Sequence, residues 1–283
     1  MNPHQYDIES LTNIANEIRG DILRMLEKAG SGHPGGSLGM ADVFAALYFS
    51  VLNFDPNDPL LEERDRVVLS NGHICPVLYA TLARAGYFDL DELKTLRTLG
   101  SKLQGHPSRL DLPGIETSAA SLGQGLSISV GMALAARMDK ADRHIFAMLS
   151  DGELQEGSSW EAANAAAKWG LDNLVAIIDR NNIQIDGNTE DIFPLEPLRD
   201  KFEAFNWLVI EINGNDMEQL LQAMNSAIEM KGQPICIIAH TTPGKGVSFM
   251  EDKYEWHGIA PNRLELMEGL AELGLAQEGY ERN

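Results

Sequence analysis

Residues 145–182 read IFAMLSDGELQEGSSWEAANAAAKWGLDNLVAIIDRNN, and no other stretch limits the fold as tightly. An apolar run, IFAML, ends at Ser150-Asp151-Gly152. An acidic turn and an alanine-rich helical run follow. A second apolar run, LVAII, then ends at Asp179-Arg180-Asn181-Asn182. Two short apolar runs joined by a helix describe parallel strands with a crossover, each buried on both faces. Asp151-Gly152 and Asn181 then fall at the same, carboxyl end of neighbouring strands. Open α/β sheets bind their ligands at that edge. A carboxylate and an amide oxygen placed there are hard ligands of the kind magnesium or calcium takes, and magnesium commonly shares them with a phosphate. Taken alone, either pair also reads as an ordinary turn.

The pattern continues along the chain. Helical spacing of Leu11, Ile14, Ala15, Ile18, Ile22, Leu23 and Leu26 predicts a helix over Ile8 to Ala29, stopped by Gly30. SGHPGGSLG reads as a loop, and MADVFAALYFSVL as an apolar helix. A strand at Arg66 to Ser70, a helix at Pro76 to Ala85 and a helix at Asp91 to Leu99 come next. Gly100 to Gly114 is irregular, and Gly125 to Met138 is a glycine- and alanine-rich helix. From His144 on, strands alternate with helices: strands at His144 to Leu149, Leu174 to Asp179, Trp207 to Ile212 and Pro234 to His240, helices at Ser158 to Trp169, Leu195 to Phe205 and Asp216 to Met230. A three-layer α/β fold follows, with a parallel sheet and helices on both faces. One domain over residues 1–283 is the simplest organisation, with a short helix in 258–283.

Forty-two acidic against 22 basic residues leave a formal charge of −20. That argues against nucleic-acid binding, which needs a basic surface. No eighteen-residue apolar window and no basic-apolar leader occur, so no membrane span is expected, and a cytoplasmic protein is the default. Cys75 and Cys236 sit in apolar surroundings and read as core. Of seven histidines, His33, His73, His106 and His257 lie in loops beside glycine or proline. A histidine alone on such a loop is usually just solvated, though its side chain titrates near neutrality.

These features come in a recognisable order. Ser31-Gly32-His33-Pro34-Gly35, Asp65-Arg66, Leu69-Ser70-Asn71-Gly72-His73, Gly105-His106-Pro107, Leu122-Gly123-Gln124-Gly125, Glu156-Gly157 and Ile185-Asp186-Gly187 resemble, in sequence, the amino-terminal domain of transketolases. The match runs over residues 8–257. The central stretch resembles the thiamine diphosphate motif, Gly-Asp-Gly then Asn-Asn, with Ser150 in place of the first glycine; 28 residues lie between Gly152 and Asn181, counting 153 to 180. The resemblance implies thiamine diphosphate with magnesium or calcium, and Asp151, Asn181 and the carbonyl of Ile183 as metal ligands. It places Gly152 and His73 toward the diphosphate and Leu122 toward the aminopyrimidine ring. It sets His33 and His257 beside the reacting ketose carbonyl and hydroxyl, and His106 at the terminal hydroxyl of the donor. Glu156, and more weakly Glu161, bridge two cofactors across a dimer in that family. Ala120-Ser121 replaces the Gly-Pro that usually precedes Leu-Gly-Gln-Gly.

The family's activity is transfer of a two-carbon ketol unit from a ketose phosphate to an aldose phosphate. Its pyrimidine-facing glutamate and its sugar-phosphate-clamping arginines come from a following domain. The expectation is therefore an amino-terminal subunit that works with a carboxy-terminal partner chain, as two copies of each, with a homodimer contact around Gly125 to Met138 and the helix after Asp151. Trp160 and Trp169 are the expected anchors of that contact. A relative acting on a sulfosugar or branched sugar, and a non-catalytic cofactor-binding or regulatory half, are the alternatives.

Overall fold

The computed structural model describes residues 2–4 and 6–276. Helix α1 (Ile8–Ala29) starts where the Asp7 carboxylate accepts the Ser10 N–H, and it stops at left-handed Gly30. Helices α2 (Pro34–Gly39) and α3 (Ala41–Ala46) follow, the latter running into a π turn at Leu47–Val51. Strand β1 (Arg66–Leu69), helix α4 (Cys75–Arg84) and helix α5 (Gly125–Met138) come next. The predicted crossover is present as β2 (Ile145–Ser150), α6 (Gly157–Lys168) and β3 (Leu174–Arg180). A small hairpin of β4 (Ile183–Gln184) and β5 (Gly187–Asn188) leads to α7 (Thr189–Ile192) and α8 (Leu198–Ala204). Strand β6 (Leu208–Asn213), helix α9 (Met217–Glu229), strand β7 (Ile235–His240) and helix α10 (Arg263–Glu272) complete the described fold.

Five strands pair in parallel in the order β1-β2-β3-β7-β6. Side chains alternate across each strand, and this alternation builds two cores. Phe146, Met148, Val175, Ile177, Ile235 and Ile237 face α1 to α4, α9 and α10. Ile145, Ala147, Leu149, Leu174, Ala176 and Ile178 face α5, α6 and α8. The result is the expected three-layer sheet. Both cysteines are buried and unpaired. Among the described residues, no helix is long and apolar enough to cross a membrane.

The structure departs from the sequence expectations at several places. SGHPGGSLG is not a loop throughout: Pro34–Gly39 is helical and almost wholly buried. Glycine disfavours a helix, but here its lack of a side chain is what allows packing. A methyl at Gly36 would stand 2.9 Å from Ile74, and one at Gly39 would stand 2.9 Å from the Thr242 carbonyl. Tertiary contact overrides propensity. The expected helix over 91–99 is a 3-10 turn, Leu90–Thr95, and Arg97 lies beyond it at φ 59. The β4–β5 hairpin and α7 are additional to the predicted elements. Of the carboxy-terminal segment, 263–272 is helix and 277–283 lies outside the described residues.

Candidate active site

The carboxyl ends of β2 and β3 lie side by side, with Ser150 opposite Asp179 in register. Three segments close over them. Helix α2 brings His33 at its amino end, and a 3-10 turn after β1 brings His73. A second 3-10 turn, Tyr254–His257, brings His257. It can approach because α2 presents glycine: a methyl at Gly35 would stand 3.2 Å from the Trp256 carbonyl. The three imidazoles form a triangle, with ring centroids 5.3 Å apart for His33–His73, 5.6 Å for His33–His257 and 5.3 Å for His73–His257.

One cavity of about 320 Å³ lies at this triangle. His33, His73, His106, Leu122, Gly152, Asn181, Ile183 and His257 all line it, as do Ser150 and Asp186. Eight of the residues singled out in the sequence therefore meet, although they span Leu122 to Ile183 in the centre and His33 to His257 at the extremes. Asp151 does not line the cavity; it sits fully buried beneath. Glu156 and Glu161 are exposed on α6 and its amino end, outside the cavity. His144 and His240 border strands, as expected of structural residues; His240 pairs with Glu211 at 2.7 Å.

Burial pushes the His33 imidazole down to about 4, with His257, Arg97 and His106 adding to the effect. Burial, then His257 and the other imidazoles, takes His73 down to about 3. Burial also lowers His106 and His257. The cluster is neutral at pH 7, so each ring carries one donor and one acceptor nitrogen. The Nδ1 atom of His33 is buried without a protein partner. Buried polar atoms are seldom left so, and this one marks a place for a polar ligand.

The candidate oxygen ligands are held from behind. The Asp151 Oδ2 atom accepts from Arg180 Nη1 at 3.0 Å and from the Asn182 N–H at 2.6 Å, while Oδ1 accepts the Gly152 N–H at 2.7 Å. Burial pushes this carboxyl up to about 6, against the pull of Arg180. Asn181 Nδ2 donates to Asp179 Oδ2 at 2.8 Å, which turns Oδ1 toward the Ile183 N–H at 2.9 Å. Asp179 is fully buried and is pushed up to about 7, by burial first and then by neighbouring Asp151. Among the described residues no three histidine, cysteine or acidic side chains gather as a metal cluster. A cation here would rely on one carboxylate, one amide and one backbone carbonyl, a hard-oxygen set suited to magnesium or calcium. This donor set and the orphaned imidazole nitrogen fit a phosphate-bearing cofactor with its cation.

Three participants escape a reading of the sequence. Arg180, Asp179 and Glu153 are buried charges next to the motif residues. The available signal is a charge at the end of a wholly apolar strand or one step past Asp-Gly, where burial makes charge costly without a purpose. Arg97 stands against Gly105, where a methyl would lie 2.9 Å from its guanidinium carbon, and it bears on both His33 and His106.

A parallel sheet with Asp-Gly and Asn on adjacent strand ends, beneath a cluster of neutral imidazoles, defines an α/β domain that binds a phosphorylated cofactor. Residues 10–281 match the family model of the transketolase thiamine diphosphate binding domain. One subunit of an apulose-4-phosphate transketolase from Phocaeicola vulgatus is 42% identical over 97% of this chain and 98% of that protein. A 6-deoxy-6-sulfo-D-fructose transketolase subunit from a Clostridium species is 43% identical over 92% and 93%. Solved transketolase from Leishmania mexicana superposes with a TM-score of 0.89 at 36% identity, covering 99% of this chain and 43% of that one. The chain belongs to the transketolase family and corresponds to its thiamine diphosphate-binding amino-terminal part.

Proposed function

We propose that this chain is the amino-terminal subunit of a two-chain transketolase, moving a two-carbon ketol unit from a ketose phosphate to an aldose phosphate. The observation that carries the reading is the shared cavity: three neutral imidazoles in mutual contact, with Gly152, Asn181 and Ile183 in the same wall. Thiamine diphosphate, when bound, supplies the electron sink for breaking the ketose C2–C3 bond. Asp151, Asn181 and the Ile183 carbonyl hold its cation. Gly152 and His73 face the diphosphate, and Leu122 faces the aminopyrimidine. His33 and His257 hold the ketose carbonyl and adjacent hydroxyl and pass a proton there, a task for which a neutral ring offers both a donor and an acceptor. His106 holds the terminal hydroxyl.

The pyrimidine-facing glutamate and the sugar-phosphate clamp belong to a carboxy-terminal partner. The relatives that match this chain nearly end to end are named as subunits, which supports the division. The whole 1–283 chain acts as one diphosphate-binding domain. Two copies pair through α5 and α6, giving a heterotetramer in which Glu156 bridges the two sites. The support is an uncharged exposed face of α5, including Ile128, Gly131, Ala135 and Met138, next to exposed Trp169. Trp160 does not join it. It is half-buried within its own chain, against Phe202 and Phe205, with its indole N–H on the Leu154 carbonyl. A branched or sulfonated ketose as donor is the second reading, favoured by the substrates for which those two relatives are named.

The test is reconstitution. The purified chain, a carboxy-terminal transketolase chain and their mixture are assayed for ketol transfer with thiamine diphosphate and magnesium, using phosphorylated, branched and sulfonated ketoses. Transfer is expected from the mixture alone. Turnover by the single chain, free of contaminating enzyme, overturns the two-chain reading.

A further inference from the structure

Glu153 is fully buried, yet it lines no part of the cavity. Its carboxylate gathers donors from three separate loops. Oε1 accepts the Gly123 N–H at 2.7 Å and the Ser70 hydroxyl, and Oε2 accepts the Ser150 N–H at 3.4 Å. The Ser70 Oγ atom in turn accepts the Gly125 N–H at 3.0 Å. Each segment reaches the cavity: His73 lies beyond Ser70, Ala120 and Leu122 before Gly123, and Ser150 itself with Gly152 at the end of β2. Gly123 is gripped a second time, because its carbonyl accepts the Ser158 hydroxyl at 3.1 Å. The turn is pressed so closely onto the start of α6 that a methyl at Gly123 would stand 2.5 Å from Ser158 Oγ, and its φ of +83 suits glycine.

All of these partners are neutral donors. A buried carboxylate with no cation against it is costly, and an apolar residue or a glutamine would be cheaper. A carboxylate is the side chain that only accepts, through two oxygens. A glutamine would turn its NH2 toward one of the donating N–H groups. The converging donors thus explain why an acid stands one step past Asp151-Gly152.

We infer that Glu153, assisted by Ser158, is a positioning residue that sets the distance between Leu122 and the Asp151-Gly152 turn. It would thereby fix the span between the two ends of the bound cofactor. The inference rests on the cofactor placement proposed above. Under that placement the diphosphate end is held by Asp151, Gly152 and Asn181, none of which the Glu153 carboxylate bonds, its grip on that side being the long 3.4 Å bond from the Ser150 N–H, while the ring end depends on the Leu122 turn, which it holds through the Gly123 N–H at 2.7 Å.

The test is calorimetric binding of two probes, thiamine diphosphate and inorganic diphosphate, each with magnesium, to the full chain assembled with its partner subunit. If the wild-type assembly binds neither probe, the proposed function fails before Glu153 is in question. Given wild-type binding, Glu153→Ala is expected to weaken thiamine diphosphate tenfold or more. Glu153→Gln, which keeps one acceptor, loses less, and Ser158→Ala about threefold, in line with loss of one hydrogen bond. Inorganic diphosphate should stay within twofold throughout. Equal weakening of both probes, or unchanged thiamine diphosphate affinity, overturns the inference. Should the alanine variant not fold, Glu153→Gln and Ser158→Ala decide it by the same criterion.

Discussion

Arg180 offers the sharpest test of how the site is held together. Its guanidinium is 3% exposed and donates to Asp151 Oδ2 at 3.0 Å and to Thr189 Oγ1, Glu190 and Glu196, each at 2.9 Å. Replacing it by methionine keeps the aliphatic stem and removes every one of these bonds. The Glu190 and Glu196 side chains are 32% and 53% exposed, so water takes over and their share of the loss is small. Asp151 is different, since its carboxylate is wholly buried and loses its counter-charge. Removing one partner of a buried pair costs about 3–5 kcal/mol. Protonation of Asp151, already pushed up to about 6, holds the loss near the lower figure. A chain of this length unfolds with an entropy of about 0.6 kcal/mol per degree, so the melting temperature should fall by about 5–8 °C. The assay is calorimetric melting of Arg180→Met and wild type, with and without magnesium and thiamine diphosphate. A cation beside Asp151 replaces the missing charge, so the deficit should shrink when both are present. Arg199→Met, which loses exposed pairs with Glu203 and Glu211 and an exposed 3.3 Å bond to the Val209 carbonyl, serves as the control, with a change of about 1 °C or less. A deficit no larger than this control, or one indifferent to the cation, refutes the reasoning.

Replacing His33 or His257 by alanine in the reconstituted enzyme should lower turnover on the order of 10²-fold with cofactor affinity nearly intact, because the proposed placement sets both against substrate. His144→Ala should show no such selective loss, and parallel behaviour of the His33 and His144 variants would disprove the assignment. Histidine burial also sets a pH dependence. His73 titrates near 3 and His33 near 4 in the folded chain, against 6.5 unfolded, so below pH 6.5 the unfolded chain binds protons that the folded chain refuses. Their contribution is constant above 6.5 and turns destabilising as pH falls toward 4. Urea unfolding of His73→Asn should therefore decline less steeply than wild type from pH 6.5 to 4, and identical slopes would contradict a neutral, buried His73.

What is legible in the sequence shares one physical character. Strands β2 and β3 are unbroken apolar runs up to their carboxyl ends, at 145–149 and 174–178, as burial on both faces favours. The cavity residues sit at strand ends or beside glycine and proline, where backbone punctuation is visible within a few positions. The illegible parts depend on remote partners. Helix α2 exists because Gly36 and Gly39 touch Ile74 and Thr242, which no local window contains. Trp160 looks like an interface anchor in sequence because the aromatic pocket that receives it, Phe202 and Phe205, lies some forty residues further on. Glu153 looks like one more acid in an acidic turn until Ser70 and Gly123 are brought against it.

The end of β3 shows how one strand serves two ligand groups at once. Successive strand residues point to opposite faces of the sheet. Asp179 points one way, where it meets Thr241 and the glycine face of α2. Arg180 points the other way, toward Thr189 and Asp151. Asp179 therefore reaches the Asn181 amide and fixes which of its two polar atoms is nitrogen-side, while Arg180 reaches across to β2 and fixes the carboxylate of Asp151. A one-residue slip of β3 against β2 would exchange the two, leaving an acid beneath an acid and a cation beneath an amide nitrogen. The register of Ser150 with Asp179 is thus as much a condition for the proposed cation site as its candidate oxygen ligands themselves. This accounts for two opposite charges standing side by side at the end of a strand that is otherwise apolar from Leu174 to Ile178.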